Sequence, residues 1–113
     1  MARFEAVTSV EGHRAAVALS GECDLSAREE CTAALLAAVE TSPQVVVDLG
    51  GLTFLDSSGV HALVTAFRAA QDRGRRLSVV GAAGMVAHVL EITGVGGLLS
   101  PRGDADADGA RNG

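Results

Sequence analysis

Val45-Val46-Val47-Asp48-Leu49-Gly50-Gly51-Leu52-Thr53-Phe54-Leu55-Asp56-Ser57-Ser58-Gly59 is the stretch that decides the fold. Its opening run is short, apolar and β-branched, which favours a central strand over a helix. That strand is expected over Gln44 to Leu49. Gly50 to Leu55 is then expected as an irregular approach to Asp56. Aspartate at the entry to a periodic segment is a helix N-cap, because its carboxylate accepts from the unpaired amides of the first turn. The helix it starts carries Val60, Leu63, Val64 and Phe67 on one stripe and His61, Thr65, Arg68 and Asp72 on the other. Gly74 is placed to end it.

Working outward, Arg14 to Ser20 alternates as a strand, preceded by a weaker one over Phe4 to Val7, with Val10 to His13 as a hairpin connection. Ser20-Gly21-Glu22-Cys23-Asp24 breaks the alternation. Ser26 to Glu29 reads as a capping box, S-x-x-E, opening a helix to about Glu40 with Ala27, Cys31, Ala34, Leu35 and Ala38 inward. Pro43 prevents its continuation. Beyond Gly74, Leu77 to Val80 is a strand. Gly84 to Thr93 is a third helix with Met85, Val86, Val89 and Leu90 inward, ended by Gly94. Gly97 to Ser100 suggests a short last strand. The order is ββαβαβαβ. Alternation after an opening hairpin implies parallel strands joined by crossovers, so the fold class is α/β: one mixed β-sheet with about three packed α-helices.

The chain has 113 residues, room for one domain. It is expected over 1–100, with 101–113 as a disordered Gly/Ala/Asp/Arg tail. The Asp104, Asp106, Asp108 repeat has no later glutamate to complete a calcium loop. No apolar run approaches the roughly 18 residues of a membrane span. Glu5 and Glu11 interrupt any secretory signal core, so the expected location is the cytoplasm, with no membrane partner.

Net charge is −5, and Lys, Trp and Tyr are absent, which removes both the basic stripe and the stacking platforms of nucleic-acid binders. No nucleic-acid partner is expected. Arg73, Arg75 and Arg76 form the one basic cluster, read as a solvated helix end. Cys23 and Cys31 have no histidine at metal-site spacing and are read as reduced, partly buried thiols. Neither metal nor cofactor is expected.

Asp56-Ser57-Ser58-Gly59 falls at a strand-to-helix junction, where α/β proteins place function. Pattern alone permits two readings: an ordinary helix start, or a modification site where the helix N-terminus tolerates added phosphate. Spacing puts Ser57 on the 57/60/64 stripe near the core and Ser58 on the polar 58/61/65 stripe. No G-x-S-x-G elbow surrounds Ser57, His61 has no third partner, and no phosphate-binding glycine loop occurs, so no enzymatic activity is expected.

Two segments resemble the STAS domains of bacterial anti-sigma-factor antagonists. Leu19-Ser20-Gly21-Glu22-Cys23-Asp24-Leu25 is similar to the family's L-x-G-E-L-D loop, with Cys23 where an aliphatic residue is usual. Leu52 to Gly59 is similar to its L-x-F-x-D-S-S-G loop. The resemblance covers about Phe4 to Ser100. It implies a single STAS-type domain and phosphorylation at the first serine after the aspartate, Ser57; the chain is expected to be a monomer. It implies a partner surface at Gly21, Glu22, Cys23, Asp24, Asp56, Ser57, Ser58 and Gly59. The implied partners are an anti-sigma factor that is also the serine kinase and a metal-dependent serine phosphatase. Unmodified chain would bind the kinase and free a sigma factor for transcription. The alternative is a STAS interaction or small-ligand module of a larger assembly, without phosphorylation.

Overall fold

In the computed structural model, which describes residues 3–95 and 97, the elements are β1 (Glu5–Glu11), β2 (Arg14–Cys23), a single 3-10 turn (Leu25–Ala27), α1 (Arg28–Thr41), β3 (Gln44–Leu55), α2 (Ser57–Asp72), β4 (Arg76–Val80) and α3 (Gly84–Ile92). The four strands form one sheet in the order β1-β2-β3-β4. β1 and β2 are an antiparallel hairpin closed at Gly12 and His13, and β2, β3 and β4 run parallel. The mixed sheet follows from the chain: a two-residue turn permits only an antiparallel pair, whereas parallel neighbours need the crossovers that α1 and α2 supply.

Ala15, Val17 and Leu19 of β2 and Val45, Val47 and Leu49 of β3 point into the core, while Ala16, Ala18 and Asp48 point out. That period of two sets which face the helices cover. From α1 come Cys31, Leu35, Ala38 and Val39, and from α2 come Val60, Ala62, Leu63, Ala66 and Ala70. Leu77, Ser78 and Val79 are all buried, so β4 is covered on both faces.

Several local expectations are corrected. β1 runs to Glu11, leaving a tighter hairpin than Val10 to His13. Both β2 and β3 outlast their regular alternation, to Cys23 and Leu55 rather than Ser20 and Leu49. Two register shifts, between Ala18 and Ser20 and between Gly21 and Glu22, let the pair continue. Glycines make them possible: Gly21 has φ +86°, and a Cβ on Gly51 would lie 2.9 Å from the Ser20 Cβ. The capping box at Ser26 and Glu29 is not formed. Asp24 instead caps the 3-10 turn, and α1 starts at Arg28 without a side-chain cap at Ala27. Ala34 and Val89 are only half-buried, and Met85 is 42% exposed rather than inward.

Gly97 is helical, which contradicts a strand starting there; 98–100 and the 101–113 tail lie outside the described residues. Among the arginines, Arg73 pairs with Glu40 at 3.1 Å and Arg75 donates to the Val39 carbonyl at 2.6 Å. Those contacts join the end of α2 to the end of α1, while Arg73 and Arg76 remain exposed at the helix end.

Candidate docking and modification site

Asp56 follows β3 in extended backbone (φ −114°, ψ −170°), and its Oδ1 accepts from the amides of Ser58 at 2.9 Å and Gly59 at 3.3 Å. The Val60 amide donates to the Asp56 carbonyl at 3.0 Å, which closes the first helical turn. Ser57 is therefore the first residue of α2, and it is exposed, while Ser58 is half-buried. This reverses the stripe arithmetic. Spacing ranks faces within a helix, but Ser57 stands at the extreme end, past the last core contact of its own stripe.

Gly59 explains the fourth position of the motif. A Cβ there would lie 2.4 Å from Leu55 Cδ1 and 2.8 Å from both the carbonyl oxygen and Sγ of Cys23. Only a residue without a side chain lets α2 begin so close to the ends of β2 and β3. The same junction is tied by the Asp56 amide, which donates to the Cys23 carbonyl at 3.3 Å, and by Thr53 Oγ1, which donates to the Gly21 carbonyl at 3.2 Å. Glu22 pairs with Phe54 and Cys23 with Leu55 across the parallel ladder. The structure thus brings Gly21, Glu22, Cys23 and Asp24 to the same end of the sheet as Asp56, Ser57, Ser58 and Gly59.

Asp24 is a near copy of Asp56. It is extended (φ −118°, ψ −167°), and its Oδ1 accepts from the amides of Ser26 at 3.1 Å and Ala27 at 3.3 Å. The Ser26 hydroxyl donates to the same oxygen at 2.7 Å. That hydroxyl first, opposed by desolvation and then aided by the backbone amides, holds the Asp24 carboxyl below its ordinary range. Gly21 supports the turn from behind: its positive φ and a Cβ position 2.1 Å from the Arg3 carbonyl oxygen admit glycine alone.

Two residues of this end escaped sequence reasoning. Leu25 is 69% exposed and Phe54 is 38% exposed. Each is a large apolar side chain next to an acidic residue at the sheet end. Their signal was present in the motifs: Leu25 directly follows a capping aspartate, and Phe54 precedes buried Leu55, so alternation turns it outward. A cavity of about 460 Å³ between the end of β4 and α3, lined by Val79, Ala82, Ala87, Leu90 and Glu91, includes no residue of either motif. The site is a surface. Among the described residues no cluster of His, Cys, Asp and Glu could hold a metal ion, and no helix is long and apolar enough to cross a membrane.

An α/β sheet with a serine-bearing helix start at its parallel end defines a class, and comparison with known proteins identifies it. The family model described as "Mlab, STAS domain" matches residues 6–100. The chain belongs to the STAS domain family. Among solved structures, an anti-sigma factor antagonist from Mycobacterium paratuberculosis is similar at 23% identity, covering 97% of this chain and 96% of that one, with a TM-score of 0.76. The phosphorylated form of the Bacillus cell fate determinant SpoIIAA is similar at 23% identity, covering 83% and 86%, with a TM-score of 0.65. The STAS domain of a SulP transporter from Vibrio cholerae is similar at 22% identity, covering 84% and 74%, with a TM-score of 0.64. At these identities the likeness is one of fold. A search of curated proteins found no match.

Proposed function

We propose that this chain is an anti-sigma-factor antagonist of the cytoplasm: its unmodified form docks an anti-sigma factor that is also a serine kinase, and phosphorylation of Ser57 ends the docking. The observation that carries the reading is the exposed Ser57 hydroxyl, first on α2 and tied to the Glu22–Asp24 segment through the Asp56-to-Cys23 hydrogen bond. The exposed Leu25 and Phe54, at the same end of the sheet as Glu22, Asp24 and Asp56, suit a protein partner better than a small substrate. The chain itself performs no turnover in this reading.

The switch follows from charge. A phosphate adds roughly −1.5 to −2 charge at neutral pH. Asp56 already occupies the Ser58 and Gly59 amides, so the phosphate gains the field of the helix end but not those two hydrogen bonds. It remains a solvated dianion beside Asp56. Docking would have to strip its water next to like charges, which costs affinity without any refolding. A metal-dependent serine phosphatase would reset the surface.

A second reading is a STAS module of a larger assembly without phosphorylation. The description of the matching family model and the transporter domain among the structural neighbours favour it. Incubation with cognate anti-sigma kinases and ATP, followed by intact-mass measurement, separates the two. We expect one phosphate on the native chain and none on Ser57→Ala, whose stability moves by under about 0.5 kcal/mol because an exposed hydroxyl is lost. Phosphate on Ser58 would refute the site, and no phosphate with any cognate kinase would favour the second reading.

A further inference from the structure

We propose that two copies of this chain pack face to face through the side of the sheet that α1 and α2 leave bare, related by a twofold axis that sets Arg14 and Arg76 of one copy against Glu5 and Asp48 of the other. The pairing departs from the monomer expected from the sequence, and it does not rest on the Ser57 reading.

The ladder defines the bare side. Residues opposite one another point the same way, so Ser9, Ala16 and Val46 form one row and Val7, Ala18 and Asp48 the next. The residues that alternate with them on β2 and β3, Ala15, Val17, Leu19, Val45 and Val47, face the helices and are buried. Ala16 and Ala18 are exposed, Val46 is half-buried, and Val7 is 63% exposed. A sheet face in contact with water ordinarily carries polar side chains. Here the middle of the face is alanine and valine, small enough for a second sheet to approach to about 10 Å.

The two ends of the face carry opposite charge. Arg14 and Arg76 flank Gln44 where the parallel strands begin. Toward the other end, Glu5 stands opposite Ser20 and Asp48 opposite Ala18. The Gly50 amide donates to Asp48 Oδ1 at 2.8 Å, and Cβ positions on Gly50 and Gly81 would lie 3.1 and 2.7 Å from that oxygen, so the carboxylate leans over bare glycine backbone. The one salt bridge among the described residues is Arg73 to Glu40, and none of these four charges has an ion-pair partner there. Glu11, the one acid at the basic end, stands opposite Arg14 in its own hairpin.

A face with both signs at opposite ends complements itself. A twofold axis lying in the interface and across the strands turns the second copy end for end, so each contact forms twice. Arg14 then meets a floor of Ser20, Gly50 and Gly51, where no long side chain stands, between the partner's Glu5 and Asp48. Those two acids are two strand spacings apart, roughly 10 Å, which leaves room for a guanidinium. The platform covers three strands about 4.8 Å apart and the seven residues of β1 at about 3.3 Å each, roughly 15 by 23 Å. It falls short of the roughly 800 Å² per partner of a standard interface, so the dimer is weak, with a dissociation constant on the order of 100 μM. α1 and α2 lie on the other side of the sheet, so the Ser57 hydroxyl of each copy stays exposed.

Sedimentation and light scattering of the full chain between about 10 μM and about 1 mM test it. The average mass should climb from monomer toward dimer, and less so as salt shortens the screening length from about 10 Å toward 3 Å. Arg14→Glu and Glu5→Arg, both at exposed strand positions, should each weaken association at least tenfold. An equimolar mixture of the two variants should associate as the native chain does, because every Arg14–Glu5 contact then again joins opposite charges. Ala16→Lys, in the apolar middle, should abolish association with circular dichroism unchanged. A monomer at about 1 mM would overturn the proposal. Association that neither charge reversal weakens, that the mixture does not restore, or that grows past the dimer into open assemblies would overturn the twofold pairing.

Discussion

The two strand ends at the site differ less in geometry than in what they carry. Asp24 after β2 and Asp56 after β3 have nearly the same backbone angles, and each offers one carboxylate oxygen to the amides two and three residues on. Position by position, Leu25 answers to Ser57, Ser26 to Ser58 and Ala27 to Gly59. At the first end the turn is a three-residue 3-10 turn that passes directly into α1, an apolar side chain stands out, and the one hydroxyl is spent on the cap. At the second the turn propagates into a sixteen-residue helix, a hydroxyl stands out, and the fourth residue is bare. The same cap thus leaves an exposed apolar side chain on one side and an exposed serine on the other. What a capping motif can do depends on its second and fourth residues.

The fourth position should break the symmetry most. Alanine in place of glycine within a helix ordinarily stabilises by up to about 1 kcal/mol. At Gly59 the new methyl would meet the Cys23 backbone carbonyl and Sγ at 2.8 Å, so we expect Gly59→Ala to destabilise by about 1–3 kcal/mol as an overpacked contact. Ala27→Gly at the matching position should cost about 1 kcal/mol or less, as lost burial and added chain entropy. Urea denaturation of both measures it. A stabilised Gly59→Ala would show that α2 can step back from β2 freely.

The second position should break it next. Ser57→Asp adds one charge with no tetrahedral bulk, and the helix end should keep it folded. Affinity for the kinase partner should fall at least tenfold, about 1.4 kcal/mol, measured by calorimetry at equal salt. Affinity equal to the native chain's, with circular dichroism unchanged, would leave phosphate bulk or another acceptor as the switch.

Much of this contrast was legible in the chain and part was not. Asp56 as a cap, the α2 stripe and the parallel order of the last three strands rest on local periodicity, which a linear reading captures. The Asp24 cap was missed because Ser26 and Glu29 satisfy the capping-box pattern equally well; choosing between them depends on how far β2 runs. That length depends in turn on Gly51 pressing against Ser20, a contact between residues far apart in sequence. Ser57 and Ser58 were assigned to the wrong faces because the end of a helix is not covered as its middle is. The closeness of Cys23 to Gly59 had no linear signal at all.

The caps themselves sharpen the comparison further. Asp56→Ala orphans two amides of a long helix and should cost about 1 kcal/mol. Asp24→Ala releases a single 3-10 turn, while α1 remains held by Cys31, Leu35, Ala38 and Val39, so its effect on melting should be the smaller. Both should weaken partner binding. Equal melting losses would mean that the 3-10 turn is as cooperative with the core as α2.

The smallest expected effect is the pH dependence of Asp24. Its carboxyl is held down chiefly by the Ser26 hydroxyl, with the Ala27 and Ser26 amides adding to it. A folded-state value depressed below the unfolded one means that the charged form is the better cap. The stabilisation is then fully present above the unfolded value and is lost as pH falls through the folded one. Asp24→Asn keeps an accepting oxygen but does not titrate. The stability difference between the native chain and Asp24→Asn should therefore be constant near neutrality, shrink across the acidic range between those two values, and level off below both. Denaturant midpoints of the pair over an acidic pH series show it. A difference that stays constant throughout would mean that the Ser26 hydroxyl serves neutral and charged forms alike, and that the turn owes nothing to charge.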